Sequence, residues 1–557
     1  MQALRSILAV ALCVGFPAVA AKHQGAQAAS KRQLPTLRLD YLGDYGNLLP
    51  DSLDPAQVET HAEESVSQLV YANLVKILPS GAVAPDLATW TISDDHLIYT
   101  FAIRPTARFS NGDFVTARDV HFSLERSLLA SAQFVTAAPD YLSLIKGASD
   151  VLNGGATRLT GVRVLDARRL TITVTKPVTY FLRLLAYPTG DVVDARILAS
   201  KTTSVRGNSL DAHCPSQTGA GPFMFVCSGN GYSFEPRSIK VPHRLVLEPN
   251  PYYYGRRPRI RLVLPTSATV PDSYTNDVAG SLDTTPAPAK ALHEWRHSRQ
   301  YHVFPNADME DLILNVHSPP FDNIHCRRAV AYAIDRERIA HSVRREPGTP
   351  AYSLLPKGYA SWSSRGKIEP HYDPAAARKE STACGTCLPI YITYMRCGAE
   401  VTPEYAVVQA NLQAAGLSGT LSPVDCGDFM YSFPMSHNGT MMQQCFPCGP
   451  WLPYDQEYLY LYRMLDSASR SNLGQWKSKR FDSLPNTAAT TWNKSARVRL
   501  YREAERIALR QAPTIPLVEG QTRTLIKPYV HGLVGTVFFD YLVPARGDWS
   551  NVTVGPH

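Results

Sequence analysis

The chain of 557 residues carries no Gly-x-Ser-x-Gly elbow, no phosphate-cradling loop and no dinucleotide fingerprint, so the usual sequence grounds for a serine hydrolase, an NTPase or a dehydrogenase are missing. Beyond its first residues no run reaches the roughly 20 apolar residues that span a bilayer. It has no block of Lys and Arg like those of basic arms. A formal charge of +8 spread over so long a chain therefore points to no nucleic-acid partner. Internal repeats and long low-complexity tracts are absent as well.

What is present begins with a leader. Arg5 precedes an apolar run from Ile7 to Phe16 and a small-residue Ala18-Val19-Ala20 site, the layout of a cleaved secretory signal. Leu12 is larger than the residue expected before a lipid-attached cysteine, so cleavage after Ala20 is preferred to anchoring at Cys13. Residues 21–35 read as a polar tether. The remaining chain of about 537 residues is expected to be exported and soluble, and it is long enough for two or three domains. Export makes disulfides the default for its cysteines. The candidates are Cys214, Cys227, Cys384, Cys387, Cys397, Cys426, Cys445 and Cys448, with Cys214 and Cys227 as a local pair. Cys326, opening an apolar helical segment, is the expected free thiol.

Strand-like and helix-like segments alternate, as in a mixed α/β protein. The most legible stretch is 89–128. Leu97, Tyr99, Phe101 and Ile103 alternate as in a half-buried strand, and Asn111-Gly112-Asp113 supplies a turn. Thr116 with Asp119 caps a helix whose Val120, Leu124 and Leu128 share a face. In "CRRAVAYAIDRERIAHSV", 326–343, Val330, Ala333 and Ile334 form an apolar stripe with the arginines mostly elsewhere, and Asp335 caps a further turn. "VVQANLQAAGL" reads as a helix ended by Gly416, and "APTIPLVEG" as a short strand.

Taken in order, Leu53-Asp54-Pro55, the 89–128 block, "TGAGPFMF" (218–225), "NPYYYG" (250–255), "RRAVAYAIDRERI" (327–339), "LQAAGL" and "APTIPL" (512–517) resemble the family 5 solute-binding proteins of ABC importers. That resemblance covers roughly residues 36–520. It implies an α/β, two-lobed flytrap of the type II periplasmic-binding-protein kind, with a small extra domain inserted near the N-terminus. Domain I would comprise 36–58, 181–290 and 512–557, domain II 59–180 and domain III 291–511. It further implies a monomeric periplasmic receptor without catalytic residues or cofactor, which takes a peptide or other small polar solute between its lobes and hands it to permease subunits.

The resemblance also points to "CFPCGPWLPYDQEY" (445–458) as a cleft loop, pinned by its cysteines. Trp451 and Tyr454 would be its stacking walls. Pro453 stands where peptide receptors keep an Asp that meets the peptide amine, leaving Asp455 as the nearest carboxylate. Ser52, Leu53 and Tyr45 would lie at the cleft edge. Two other readings compete. "HEWRH" at 293–297 matches a zinc-peptidase pattern with His293 and His297 as ligands and Glu294 as base, which needs all three on a continuous helix. A nickel or metal-chelate receptor of the same fold is the other.

Overall fold

The computed structural model describes residues 34–39, 53–58, 61–131, 136–198, 218–226, 244–265, 282–287, 292–343, 348–362, 370–385, 388–396, 403–425, 440–446, 456–469, 471–536 and 539–556. The chain opens with β1 (Thr36–Arg38) and α1 (His61–Val70). A four-stranded antiparallel sheet follows, made of β2 (Ala88–Ile92), β3 (Ile98–Ile103), β4 (Val162–Val164) and β5 (Arg169–Thr173) in the order β2-β3-β5-β4. Between β3 and β4 lies α2 (Ala117–Ala130), and after β5 comes the short α3 (Phe181–Leu185).

This first sheet follows from its sequence as expected. Tyr99, Phe101 and Ile103 bury one face of β3. Gly112 turns the chain with φ of +94°, and a Cβ there would sit 3.1 Å from the Tyr252 ring, so glycine meets both a backbone and a space requirement. Thr116 and Asp119 form the reciprocal capping box of α2, which satisfies two donors left orphaned at the helix start. Val120, Leu124 and Leu128 then pack beneath the sheet, in a core that also takes Phe181 and Leu185 of α3.

After α3 the chain supplies β6 (Phe223–Phe225), β7 (Arg244–Pro249) and β8 (Arg261–Pro265), which join β1 in a second sheet ordered β1-β8-β7-β6. A third, mixed sheet has seven strands: β9 (Thr284–Pro286), β10 (Tyr301–Leu314), β11 (Thr349–Pro350), β12 (Ile390–Arg396), β13 (Gly419–Asp425), β14 (Thr440–Phe446) and β15 (Thr514–Ile526). Its order is β9-β15-β10-β14-β12-β13, with β11 paired to β15. One core joins Leu312, Leu314, Ile392 and Leu517 to α4 (Ile324–Ala333), α5 (Pro374–Cys384) and α6 (Pro403–Ala414). Another joins Met309 to α7 (Gln456–Leu465), α8 (Lys479–Ala489) and α9 (Lys494–Gln511).

β15 is longer than the short strand expected from "APTIPLVEG", and it links two of these cores. Ile515, Leu517 and Val518 pack with α4 and α6, whereas Ile526 packs with Leu37, Leu262 and Leu264 of the second sheet. Its register pairs Ile526 with Thr284 and Thr514 with Ile313.

Two expectations about the 326–343 segment are corrected. Cys326 is not a free thiol: it is disulfide-bonded to Cys384, 58 residues later, which ties the start of α4 to the end of α5. Arg336 is not on an outer face; it is fully buried, and its Nε donates to the Pro516 carbonyl at 2.6 Å. Backbone carbonyls accept from a buried guanidinium without supplying a second charge, which lets Arg336 tie the turn after α4 to β15.

Candidate functional site

Two residues of α7 spaced by four, Tyr458 and Tyr462, fall on one helical face and stack with ring centroids 4.9 Å apart. The opposite face carries Tyr460, Leu461 and Met464 into the core, so the helix presents tyrosine rings outward because its other side is committed to packing. Facing them is the segment that leaves the first sheet. Tyr180, immediately before α3, stacks on Tyr458 at 5.1 Å. Beneath it Tyr141 and Tyr187 stack nearly parallel at 3.8 Å. Burial, and then the charge of Glu64, hold both of those hydroxyls well above the ordinary tyrosine range, so they stay neutral at any physiological pH.

These two sides enclose a cavity of about 520 Å³. Asp140, Tyr141, Leu144, Lys176, Val178 and Tyr180 line it from one side, and Tyr458, Leu459, Tyr462, Arg463 and Asn486 from the other. Contacts among the described residues stitch the seam. The Thr179 amide donates to the Ala489 carbonyl at 2.8 Å, and Arg463 stands 3.7 Å from Asp140. Tyr180 meets Tyr458, and His96 at the β2–β3 turn stacks on Trp492, which precedes α9, at 4.0 Å. A cavity of this size, walled by ring faces with a carboxylate and two cations at its margin, suits a small solute with an apolar or aromatic body and polar ends.

The description of bacterial extracellular solute-binding proteins, family 5 Middle, matches residues 82–462. The chain belongs to family 5 of the bacterial extracellular solute-binding proteins. This family 5 protein is 26% identical over 519 residues to the probable deoxycholate-binding periplasmic protein YgiS of Escherichia coli, covering 87% of this chain and 88% of that one. It is 24% identical to the periplasmic oligopeptide-binding protein OppA of Escherichia coli over 509 residues, with the same two coverages. Among solved structures, the unliganded open form of the periplasmic murein tripeptide-binding protein MppA superposes with a TM-score of 0.76 at 21% identity, covering 95% of this chain and 98% of that one. The fold is the two-lobed α/β architecture of the periplasmic binding proteins, and the receptor reading is favoured over both metal readings.

Of the residues expected to touch ligand in this family 5 protein, Trp451, Tyr454, Asp455, Ser52 and Tyr45 lie outside the described residues. Leu53 is described and is buried in the core around the second sheet, with its carbonyl accepting from the Tyr71 hydroxyl at 3.0 Å; it faces packing, not the cavity. Cys214, Cys227, Cys387, Cys397, Cys426 and Cys448 also lie outside the described residues, and for Cys445 only its place on β14 is described. The "HEWRH" stretch does not form the helix a zinc motif needs. Its single turn, Leu292–Trp295, ends before His297, which lies exposed in the following turn with Arg296. Among the described residues no group of three or more His, Cys, Asp and Glu side chains is placed to hold a metal ion, and no helix is long and apolar enough to cross a membrane.

Tyr180 and Tyr462 lie outside the stretches that the sequence marks for the cleft; Tyr458 closes "CFPCGPWLPYDQEY" but is not one of its named walls. The signal that marks Tyr458 and Tyr462 is their spacing in "QEYLYLYRML", where tyrosines fall on the face turned away from Leu461 and Met464.

Proposed function

We propose that this family 5 protein is the receptor of an ABC importer, which captures a peptide or other small polar solute between its lobes and delivers it to a membrane permease. The observation that carries the reading is the cavity lined from both sides of the seam by Tyr180, Tyr458 and Tyr462. A receptor of this kind makes and breaks no bond. It needs a solute that contacts both sides at once, and so binds the closed arrangement more tightly than the open one.

Relatives whose names record ligands as different as deoxycholate and oligopeptides support a cavity whose walls recognise shape and ring faces more than one fixed chemical group. Pro453 in place of a carboxylate, beside the start of α7, favours solutes that do not depend on a free amine. Export through the leader, with domain boundaries near residues 59, 181, 291 and 512, belongs to the same reading. Native mass spectrometry of protein purified gently from its own host tests it. The expected result is a retained small molecule of defined mass that is lost on mild denaturation. Repeated recovery of bare protein that also binds nothing from a broad extract counts against it.

A further inference from the structure

The middle ring of the tyrosine wall is held from behind. Tyr458 stacks on Tyr462 with ring planes 14° apart and on Tyr180 with planes 22° apart, so the three rings lie nearly parallel across the seam. Stacking constrains the tilt of a ring more than its position along the neighbouring face. The Tyr458 hydroxyl supplies the missing constraint: it donates to Oδ1 of Asn486, on α8, at 3.1 Å.

Asn486 is itself tied down. Its Nδ2 donates to Oδ2 of Asp466 at 3.0 Å and to the Asp482 carbonyl, one turn earlier in α8, at 2.8 Å. A carbonyl can only accept, so the amide nitrogen must face Asp482 and the amide oxygen is turned to Tyr458. Asp466 follows α7 directly, is 2% exposed and takes the Ala468 amide on its other oxygen at 2.8 Å. A buried carboxylate is costly to leave short of donors, so Asp466 holds the Asn486 amide in place. The tie therefore runs from the first turn of α7 to the residue just past its last, with Asn486 clamped between the two.

We propose that Asn486, with Asp466 behind it, is a positioning residue for the solute site, which presets the Tyr458 ring before solute arrives; that role rests on the receptor reading above. It acts through the Tyr458 hydroxyl, although Asn486 also borders the cavity. All members of the tie lie on the α7–α8 side of the seam, so opening the seam does not break it. A ring already fixed pays no ordering cost when solute and Tyr180 close onto it, which strengthens the contact that favours the closed arrangement.

Fluorine NMR of the full chain without solute, with 3-fluorotyrosine in place of Tyr462, tests the tie, because that probe senses the ring current of Tyr458 stacked on it. Tyr458→Phe, which removes only the hydroxyl, and Asn486→Ala should move the fluorine line in the same direction. A line unmoved by Tyr458→Phe, or moved by Asn486→Ala alone, overturns the proposal. Di- to pentapeptides and amphipathic carboxylates are then titrated against wild type, the two variants and the double variant. The expected loss of affinity is about two- to tenfold, as one hydrogen bond allows, and no larger in the double variant than in either single one. Losses that multiply show that Asn486 touches the solute itself, and overturn the positioning role. A wild type that binds none of these solutes while the line still moves removes the receptor reading and not the tie.

Discussion

Tyr180 and Tyr458 stack face to face across the seam, with their ring planes 22° apart. One ring follows the first sheet and the other lies in the first turn of α7, so this contact is one of those that join the two cores. Such a pair contributes about 0.5–1.5 kcal/mol beyond its area. The neighbouring Asp140–Arg463 pair is 3.7 Å long with side chains 46% and 25% exposed, so it adds at most about 1 kcal/mol. Contacts this weak hold a seam that a bound solute can decide.

The Cys326–Cys384 disulfide closes a loop of 58 residues. Chain-entropy reasoning assigns it about 4 kcal/mol, with native disulfides usually delivering about 2–4. Cys326→Ser with Cys384→Ser should lower the urea midpoint by the corresponding amount. An unchanged midpoint would show that the α4–α5 pairing is held by packing alone.

Asp54 explains why Leu53-Asp54-Pro55 stands where it does. It caps the turn Pro55–Gln57 by accepting from the Ala56 amide, and both its oxygens receive Arg126 of α2, one of them at 2.6 Å. With the Asp54 side chain 5% exposed, Asp54→Ala strands a largely buried cation and should cost about 3–5 kcal/mol. The double change Asp54→Ala with Arg126→Met should recover part of that loss in a denaturation cycle.

Asp311, at the centre of β10, is fully buried, and neither carboxylate oxygen has a hydrogen-bond partner among the described residues. Burial, and then the charge of Glu310, raise it to about 7 against the pull of Arg336. A carboxyl whose folded value lies above its unfolded value binds its proton more tightly when folded. The stability it lends is complete below the unfolded value and is lost as pH rises through about 7. Asp311→Asn should therefore flatten the fall in stability between about pH 4 and about pH 7, and be the more stable protein above it by on the order of 1 kcal/mol or more. Parallel pH profiles of the two proteins would contradict this.

Local grammar was readable where neighbours in sequence are neighbours in space. The strand, Gly112 turn and Thr116 cap of 89–128, the Asp335 cap before Arg338 and the left-handed Gly416 at the end of α6 all follow from short-range rules. Cys326 was unreadable for the opposite reason: its partner lies on another helix, and spacing carries no information about pairing across 58 residues. Arg336 misleads because a charged residue next to an amphipathic stripe is ordinarily solvated, whereas here carbonyls of β15 and its own turn receive it. "HEWRH" fails because its motif presumes a helix that stops at Trp295. The resemblance points to Trp451 and Tyr454 in 445–458, whereas the described walls on that side are Tyr458, at the end of the same stretch, and Tyr462 further along α7. Their partner Tyr180 is more than two hundred residues upstream, so only the fold could bring them together.

The central claim is that the tyrosine-lined cavity receives the solute. Thermal unfolding of wild type and of a Tyr458→Ala, Tyr462→Ala variant, against a panel of di- to pentapeptides and amphipathic carboxylates, tests it most directly. At a hundred times its dissociation constant, a cognate solute should add about 2.7 kcal/mol to wild type and clearly less to the variant. No shift across the panel, or an equal shift in both proteins, would contradict the account.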